Sequence, residues 1–405
     1  MDCIVPHHSV RMFCASIGTC AKIGKDLYLD FDPIDGLTLR ALNDAKSAYV
    51  CFKYLPSFFE RCTAPPLEIL ERGHRGKKRP RSTAATAATT TTAAGQPRDR
   101  GPPSSESVAD EDDDNNDEDG RLTCRLSIKA LAAAVRYRKH ARSLRVYAEE
   151  VSSSLHLCFE YLLSAATTAA STMGSDTVDD GYPSSTSCWN VVHRVPVADF
   201  PVPIVSAVTS HDGASHMIVS PRVLCRLLEP LARHAETAII IPSPTASEGG
   251  GVDSGKDQIL ATCFQQIGTT NTTSTMDNST SLLLPSHLQT EMRLSFDDLV
   301  ELEFVDDRDT DGNDEGNGDD MPRDVNASVA LVFSHREAKA LLLWSSGREM
   351  EHQQQTGGGG VPDIQMNFHW GGRPLIMEQR TDHWRVELVL ATLDHKLLLG
   401  SSVMK

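Results

Sequence analysis

The sequence predicts an α+β protein of two similar halves, each a set of antiparallel strands interrupted by two short helices. Three observations carry that expectation. Short apolar–polar alternating segments recur in the same order of strand and helix through both halves of the 405 residues. The helical segments are short and amphipathic, with apolar residues near i, i+3, i+4 and i+7. Long polar tracts separate the patterned pieces, and these cannot bury enough apolar surface to offset their ordering entropy. The length itself gives room for about two average domains, at roughly 150 residues each.

Taken in order, Met1–Pro6 reads as a strand, Ser9–Gly18 as a short helix and Asp26–Asp32 as a strand. Gly36–Leu42 and Ser47–Tyr54 alternate around an Asn43-Asp44 turn, which marks two more strands. Arg121–Ile128 is a strand, Lys129–His140 a helix, and Leu144–Glu149 and Ser154–Tyr161 are strands. The second half repeats the pattern with a strand at His216–Val219, a helix at Pro221–His234 and strands at Ala238–Ile241 and Gln258–Phe264. Strands at Glu291–Leu294 and Val329–Phe333 follow, then a helix at Ser334–Ser345 and strands at Asp363–Trp370, Pro374–Gln379 and Arg385–Leu393. Between the halves, Pro196–Asp212 holds three prolines and suits an extended connector. The expected organisation is a first domain over 1–195, a connector over 196–216, a second domain over 217–395 and a short end at 396–405. Disordered insertions are expected at 72–120, 163–187, 244–254, 268–290, 306–326 and 351–361.

Charge and cysteine usage exclude several classes. The formal charge is −16, but residues 110–119 contribute −8 and 306–320 contribute −7, so about −1 is left for the rest. Such blocks repel themselves and stay solvated. No apolar run approaches the roughly 18 residues of a membrane helix, and the start shows no secretory signal pattern. The ten cysteines are scattered, with no CxxC, which argues against a zinc ribbon or a disulfide framework and for a reducing compartment, cytosol or nucleus.

The residues that carry chemistry are basic. Residues 121–145 hold eight Lys/Arg and no acid. Ile128, Leu131, Ala132 and Val135 form the buried face of that helix, while Lys129 and Arg136 share another, with Lys139 and His140 close by. On the helix at 221–234, Arg222, Arg226 and Arg233 line one side opposite Val223, Leu224, Leu227, Leu228 and Leu231. Arg336 and Lys339 sit on the last helix, and Arg11 and Lys22 flank the first. Any one such face is an ordinary solvated helix surface. Four of them in an acidic chain are the electrostatic footprint of contact with a phosphate backbone. No aromatic row accompanies them, so the expected ligand is duplex rather than stacked single strand. Lys77, Lys78, Arg79 and Arg81 form a basic cluster that reads as a nuclear-import signal, or else merely balances the acidic run downstream.

Enzyme motifs fail. Gly250, Gly255 and Lys256 have the spacing of a phosphate-binding loop, but Asp257 stands where a magnesium-holding hydroxyl is needed and would repel phosphate. There is no HExxH and no GxSxG. The acidic runs lack the fixed geometry of a catalytic metal site. No catalytic residue, metal ligand or cofactor is expected.

The stretch DLYLDFDPIDGLTLRALNDAKSAYVCFKYLPSFFERC at 26–62 closely resembles the first domain of the Rad-nine family. TEMRLSFDDL at 290–299, ALVFSHREAKALLLW at 330–344, GGRPLI at 371–376 and VLATL at 389–393 extend the resemblance to about Leu393. That family supplies the largest subunit of the nine-one-one (9-1-1) DNA damage checkpoint clamp, related to PCNA sliding clamps.

The resemblance implies a DNA-clamp fold, with antiparallel sheet outside and two short helices inside each domain, and the four basic helices lining a ring around duplex DNA. It implies a heterotrimer with Rad-one-like and Hus-one-like subunits, loading by a Rad-seventeen/replication factor C type loader, and recruitment of repair enzymes, with no membrane partner. Val197, Phe200, Val202, Ile204 and Val205 of the connector would receive peptide motifs from those enzymes, or simply pack onto the second domain. A PCNA-like replication clamp and a 3′→5′ exonuclease are the alternatives. Family members commonly carry a long phosphorylated tail, whereas no Ser-Gln or Thr-Gln dipeptide occurs in these 405 residues. Three readings of that tail stay open: it is lost, it is truncated from this chain, or its role has moved into the internal insertions.

Overall fold

The computed structural model describes residues 1–63, 121–137, 140–148, 153–162, 188–199, 201–207, 213–232, 235–242, 258–264, 290–305, 328–355, 362–369 and 372–393. The tracts expected as insertions lie outside these residues, with two exceptions, Thr290 and residues 351–355. Residues 351–355 close the last helix instead of belonging to a loop.

The first run of elements is β1 (Asp2–Pro6), α1 (His7–Ile23), β2 (Asp26–Asp32), β3 (Gly36–Leu42), β4 (Ala48–Tyr54), β5 (Arg61–Thr63), β6 (Leu122–Ser127), α2 (Ile128–Ala134), β7 (Ala141–Ala148), β8 (Ser154–Leu162) and β9 (Cys188–Asp199). The second is β10 (Ser215–Val219), α3 (Pro221–Leu228), β11 (Glu236–Pro242), β12 (Gln258–Phe264), β13 (Glu291–Ser295), β14 (Glu301–Glu303), β15 (Ser328–Ser334), α4 (His335–Gln355), β16 (Ile364–Phe368), β17 (Leu375–Arg380) and β18 (Trp384–Leu390). Among the described residues the two runs have the same order of strands and helices. No described helix is long and apolar enough to cross a membrane.

Sheet pairing joins the halves. One sheet runs β14-β10-β16-β17-β18-β4-β3-β2-β6-β9-β8-β7-β1-β5, and a second runs β13-β12-β11-β15. The first crosses from one half to the other where β18 pairs antiparallel with β4, from Trp384 opposite Tyr54 to Leu390 opposite Ala48. Hydrogen bonds extend the joint at both ends, from Leu55 N to His383 O (2.9 Å) and from Ala391 N to Ser47 O (2.8 Å). Beneath it, Trp344 of α4 meets Phe52 and Trp384 edge-on, at 5.0 and 5.3 Å between ring centres. All three rings are buried. Edge-to-face pairs of this kind contribute about 0.5–1.5 kcal/mol each beyond their buried area.

Local sequence explains most boundaries. Pro6 precedes α1 in an extended conformation, and Gly24 ends it with an extended backbone. The helix runs past Gly18, where a shorter one was expected, because Thr19, Cys20 and Ile23 continue its buried face. Gly36 opens β3 at φ +90°, and a Cβ there would lie 2.1 Å from Tyr54 O, so only glycine fits. The expected helix at 129–140 is shorter: α2 ends at Ala134, a 3-10 turn covers Val135–Tyr137, and His140 takes φ +62°. The expected connector start at Pro196 also moves. Pro196 lies inside β9, opposite Ser154, just before the pairing with β6 begins at Val197, and the end of a ladder tolerates the missing N–H.

One buried ion cluster fastens β2, β3 and β6. Asp30 accepts from Arg40 Nη1 at 2.8 Å and from Arg121 Nε and Nη2 at 3.0 and 3.1 Å. Burial works against the charge on Asp30, but the hydrogen bonds from Arg121 and Arg40 prevail and hold its carboxyl below the usual carboxylate range. A depressed carboxyl stabilises the fold above its unfolded value, near pH 3.9, and that contribution is lost as pH falls through the folded value. Asp30→Asn should therefore cost about 3 kcal/mol at pH 7 by removing the buried carboxylate charge that the Arg40 and Arg121 guanidinium groups share. In denaturant titrations the gap to the parent protein should close below pH 4; a gap independent of pH would show that the charge on Asp30 is not what matters.

Candidate nucleic-acid interface

The four described helices lie side by side in the order α2-α1-α4-α3. Each rests on strands: α2 on β6 and β9, α1 on β1, β3, β4 and β7, α4 on β11 and β18, and α3 on β13. A helix that buries one stripe on a sheet exposes the opposite stripe. The row thus presents one continuous surface facing away from the sheets.

That surface is sorted by charge. On α1 the exposed or half-exposed positions are His7, His8, Arg11, Ala15, Gly18 and Lys22 with Ala21, a stripe at helical spacing. Lys129 is exposed on α2, and Arg136 is exposed in the turn that follows. Arg222 and Arg226 are exposed on α3, whose buried face is Pro221, Leu224, Leu227 and Leu228. On α4 Arg336 is exposed and Lys339 half-buried. The sequences of α1, α2 and α3 contain no Asp or Glu. Glu337 of α4 is buried and accepts a hydrogen bond from Ser334, so it does not face the row's outer surface. Leu343 is the departure, an apolar residue 49% exposed on the same stripe of α4.

Eight of the ten basic residues singled out from the sequence thus sit on this row. Lys139 and Arg233 lie outside the described residues, as do Lys77, Lys78, Arg79 and Arg81. His7 and His8 belong to the stripe and were missed. Their signal is the one-turn spacing from Arg11, obscured because the helix was expected to begin at Ser9.

The opposite face of the large sheet has a different character. Glu378 and Glu387 hold Arg385, with Nε 3.0 Å from Glu378 and Nη2 3.2 Å from Glu387. His216 on β10 lies opposite Glu303 on β14, with Nδ1 3.4 Å from Glu303 and Nε2 3.5 Å from Glu301. Those three residues form the one grouping among the described residues with donor atoms close enough to hold a metal ion.

The connector crosses this outer face. Val205 and Ala207 pack against Tyr49, Ile376 and Val389, with Leu42 and Cys51 beside them. The Tyr49 hydroxyl donates to Val205 O at 3.4 Å. The patch therefore straddles the β4–β18 joint and draws on both halves. Ile204 is exposed and Val202 half-buried. Val197, expected in the connector, is a β9 residue opposite Leu126, and Phe200 lies outside the described residues.

Replacing Lys129, Arg136, Arg222 and Arg226 with Ala together should flatten the salt dependence of duplex binding. Each phosphate contact carries about 0.9 of the logarithmic slope, so the loss is up to about 3.6. An unchanged slope in filter binding across salt concentrations would remove this surface from contact with DNA.

Comparison with known proteins places this architecture. The sequence model of a family described as Rad9 matches residues 13–74, from α1 through β5 and beyond. PCNA from Thermococcus kodakaraensis superposes with a TM-score of 0.51 at 9% identity, covering 96% of this chain and 99% of that one. Proliferating Cellular Nuclear Antigen from Entamoeba histolytica superposes with a TM-score of 0.50 at 9% identity, covering 96% and 98%. The chain has the PCNA-like clamp fold, and its first strands and helix are similar in sequence to Rad9.

Proposed function

We propose that this protein is a non-catalytic subunit of a ring clamp that encircles duplex DNA at sites of damage, where it supports checkpoint activation and scaffolds repair. The observation that carries the reading is the row of four helices, basic on its outer surface, in a chain with the clamp fold. The checkpoint assignment rests on the similarity of residues 13–74 to Rad9. The mechanism is topological linkage. A ring holds DNA by enclosing it, so the helices need only loose, largely water-bridged contacts to phosphates, which carry no sequence information.

Ring closure needs neighbours, and the chain carries a template for the contact. Within the chain, β18 closes against β4. In the repeated order of elements, β9 corresponds to β18 and β13 to β4. Among the described residues, the strand pairing of β13 is with β12, and from Trp189 to Pro196 the strand pairing of β9 is with β8. The sequences of the two corresponding strands are alike, WNVVHRV at 189–195 and WRVELVL at 384–390. Trp384 is 4% exposed because β4 and Trp344 cover it, whereas Trp189 is 48% exposed, stacked on Tyr161 at 4.4 Å. Open edges of this kind accept a further strand. Rad-one-like and Hus-one-like subunits are the proposed neighbours, a replication factor C type complex with a Rad-seventeen subunit the proposed loader, and the nucleus the proposed site of action. The connector patch around Val205 and Ile204 is proposed to receive short apolar peptides of repair enzymes.

Native mass spectrometry of the chain co-expressed with Rad-one-like and Hus-one-like subunits tests the reading. A 1:1:1 complex is expected; a stable homotrimer indifferent to those subunits would make the protein a replication-type clamp. Trp189→Ala should weaken assembly by roughly thirty-fold, the about 2 kcal/mol of an interface anchor, without unfolding the chain. Undiminished assembly would show that β9 is not a joint.

A further inference from the structure

Cys3 on β1 and Cys62 on β5 stand directly opposite each other in the antiparallel pair that forms one edge of the large sheet. Opposed residues in such a pair have Cα atoms about 4.5 or 5.5 Å apart, inside the roughly 4.4–6.8 Å span that a disulfide bridges. Their side chains point to the same side: Cys3 is fully buried and Cys62, half-buried, packs against the same core. The bracketing contacts fix the register. Arg61 reaches Asp2 at 2.8 Å, and the Thr63 hydroxyl donates to Asp2 O at 3.3 Å.

We propose that Cys3 and Cys62 are a peroxide-responsive thiol pair, whose oxidation to a disulfide staples the three-residue edge strand β5 onto β1. This goes beyond the clamp reading and does not depend on it. The division of labour follows from the surroundings. Cys62 is the more accessible thiol, and a hydrogen bond from Cys3 holds its thiolate against the cost of burial, moving the Cys62 thiol down and the Cys3 thiol up. Burial pushes Cys20, Cys51, Cys158 and Cys225 the other way, up, and Cys124 up to about 12. The thiolate, not the thiol, is the nucleophile.

The Cys62 thiolate attacks one oxygen of hydrogen peroxide, the O–O bond breaks, hydroxide leaves and Cys62 becomes a sulfenic acid. The Cys3 sulfur then attacks the Cys62 sulfur. The S–S bond forms, the S–O bond breaks, and the departing hydroxide takes the Cys3 proton to give water. Two thiols lose two electrons and one peroxide gains them. Cytosolic thiols are normally kept reduced, so a pair of this kind acts transiently.

Stepwise addition of hydrogen peroxide to the reduced full chain, alkylation of the remaining thiols and peptide mass spectrometry without reduction test the proposal. A Cys3–Cys62 linked peptide is expected at the lowest dose that links any of the ten cysteines, reversed by dithiothreitol and accompanied by slower amide hydrogen exchange at residues 60–63. In Cys3→Ser, dimedone should trap a sulfenic acid at Cys62; in Cys62→Ser, the linked peptide should be lost. A first linkage through any other pair, or Cys62 oxidised to sulfinic acid without linkage in the parent chain, would overturn it. The linkage map of the parent chain and the half-exposed Cys62→Ser variant decide the matter even if Cys3→Ser does not fold.

Discussion

The β4–β18 joint is the contact on which the rest of the structure depends. It makes one sheet of two halves, and the buried cluster of Phe52, Trp344 and Trp384 beneath it ties that sheet to the helix layer. Because α4 carries Trp344 and also lies against both α1 and α3, the position of the joint sets the spacing of the helix row. The connector patch sits on the other side of the same joint, on Tyr49, Ile376 and Val389. Helix surface and connector are therefore held on opposite faces of one sheet. Loss of packing in that cluster would disturb both together, which is the cost of building two surfaces on one seam.

Charge follows the same division. The acidic residues that dominate the formal charge lie largely in polar tracts, and those on the outer sheet face are answered locally, as Arg385 answers Glu378 and Glu387. On the helix row, the sequences of α1, α2 and α3 contain Lys and Arg but no Asp or Glu. A net charge of −16 thus coexists with a basic surface. Long-range repulsion between the chain as a whole and DNA is screened over about 10 Å at ordinary salt, while groups on the row act within that distance.

Much of this was legible in the sequence, and the exceptions have physical reasons. β2, β3 and β4 alternate because one face is core; the bounds of β2 and β3 agree with expectation, and β4 begins one residue later, at Ala48. β5 and β14, three residues each, are too short for periodicity to register. β9 was hidden because Asn190, His193 and Pro196 break an alternation of Trp189, Val191, Val195 and Val197, and most of its residues are exposed. α1 outran its expected end because Thr19, Cys20 and Ile23 continue its buried face, so packing and not propensity alone sustains its last turn. The basic residues of the row were legible as faces of single helices. That the four faces join, and that His7 and His8 extend one of them, required the order α2-α1-α4-α3.

The central claim is that the ring holds DNA by enclosing it, and topology tests that most directly. The assembled complex, loaded on a nicked circular plasmid, should remain bound through a high-salt gel-filtration column and leave when a single restriction cut makes the plasmid linear. Equal retention on circular and linear DNA, or equal loss of both in salt, would contradict encirclement and reduce the helix row to an ordinary binding face.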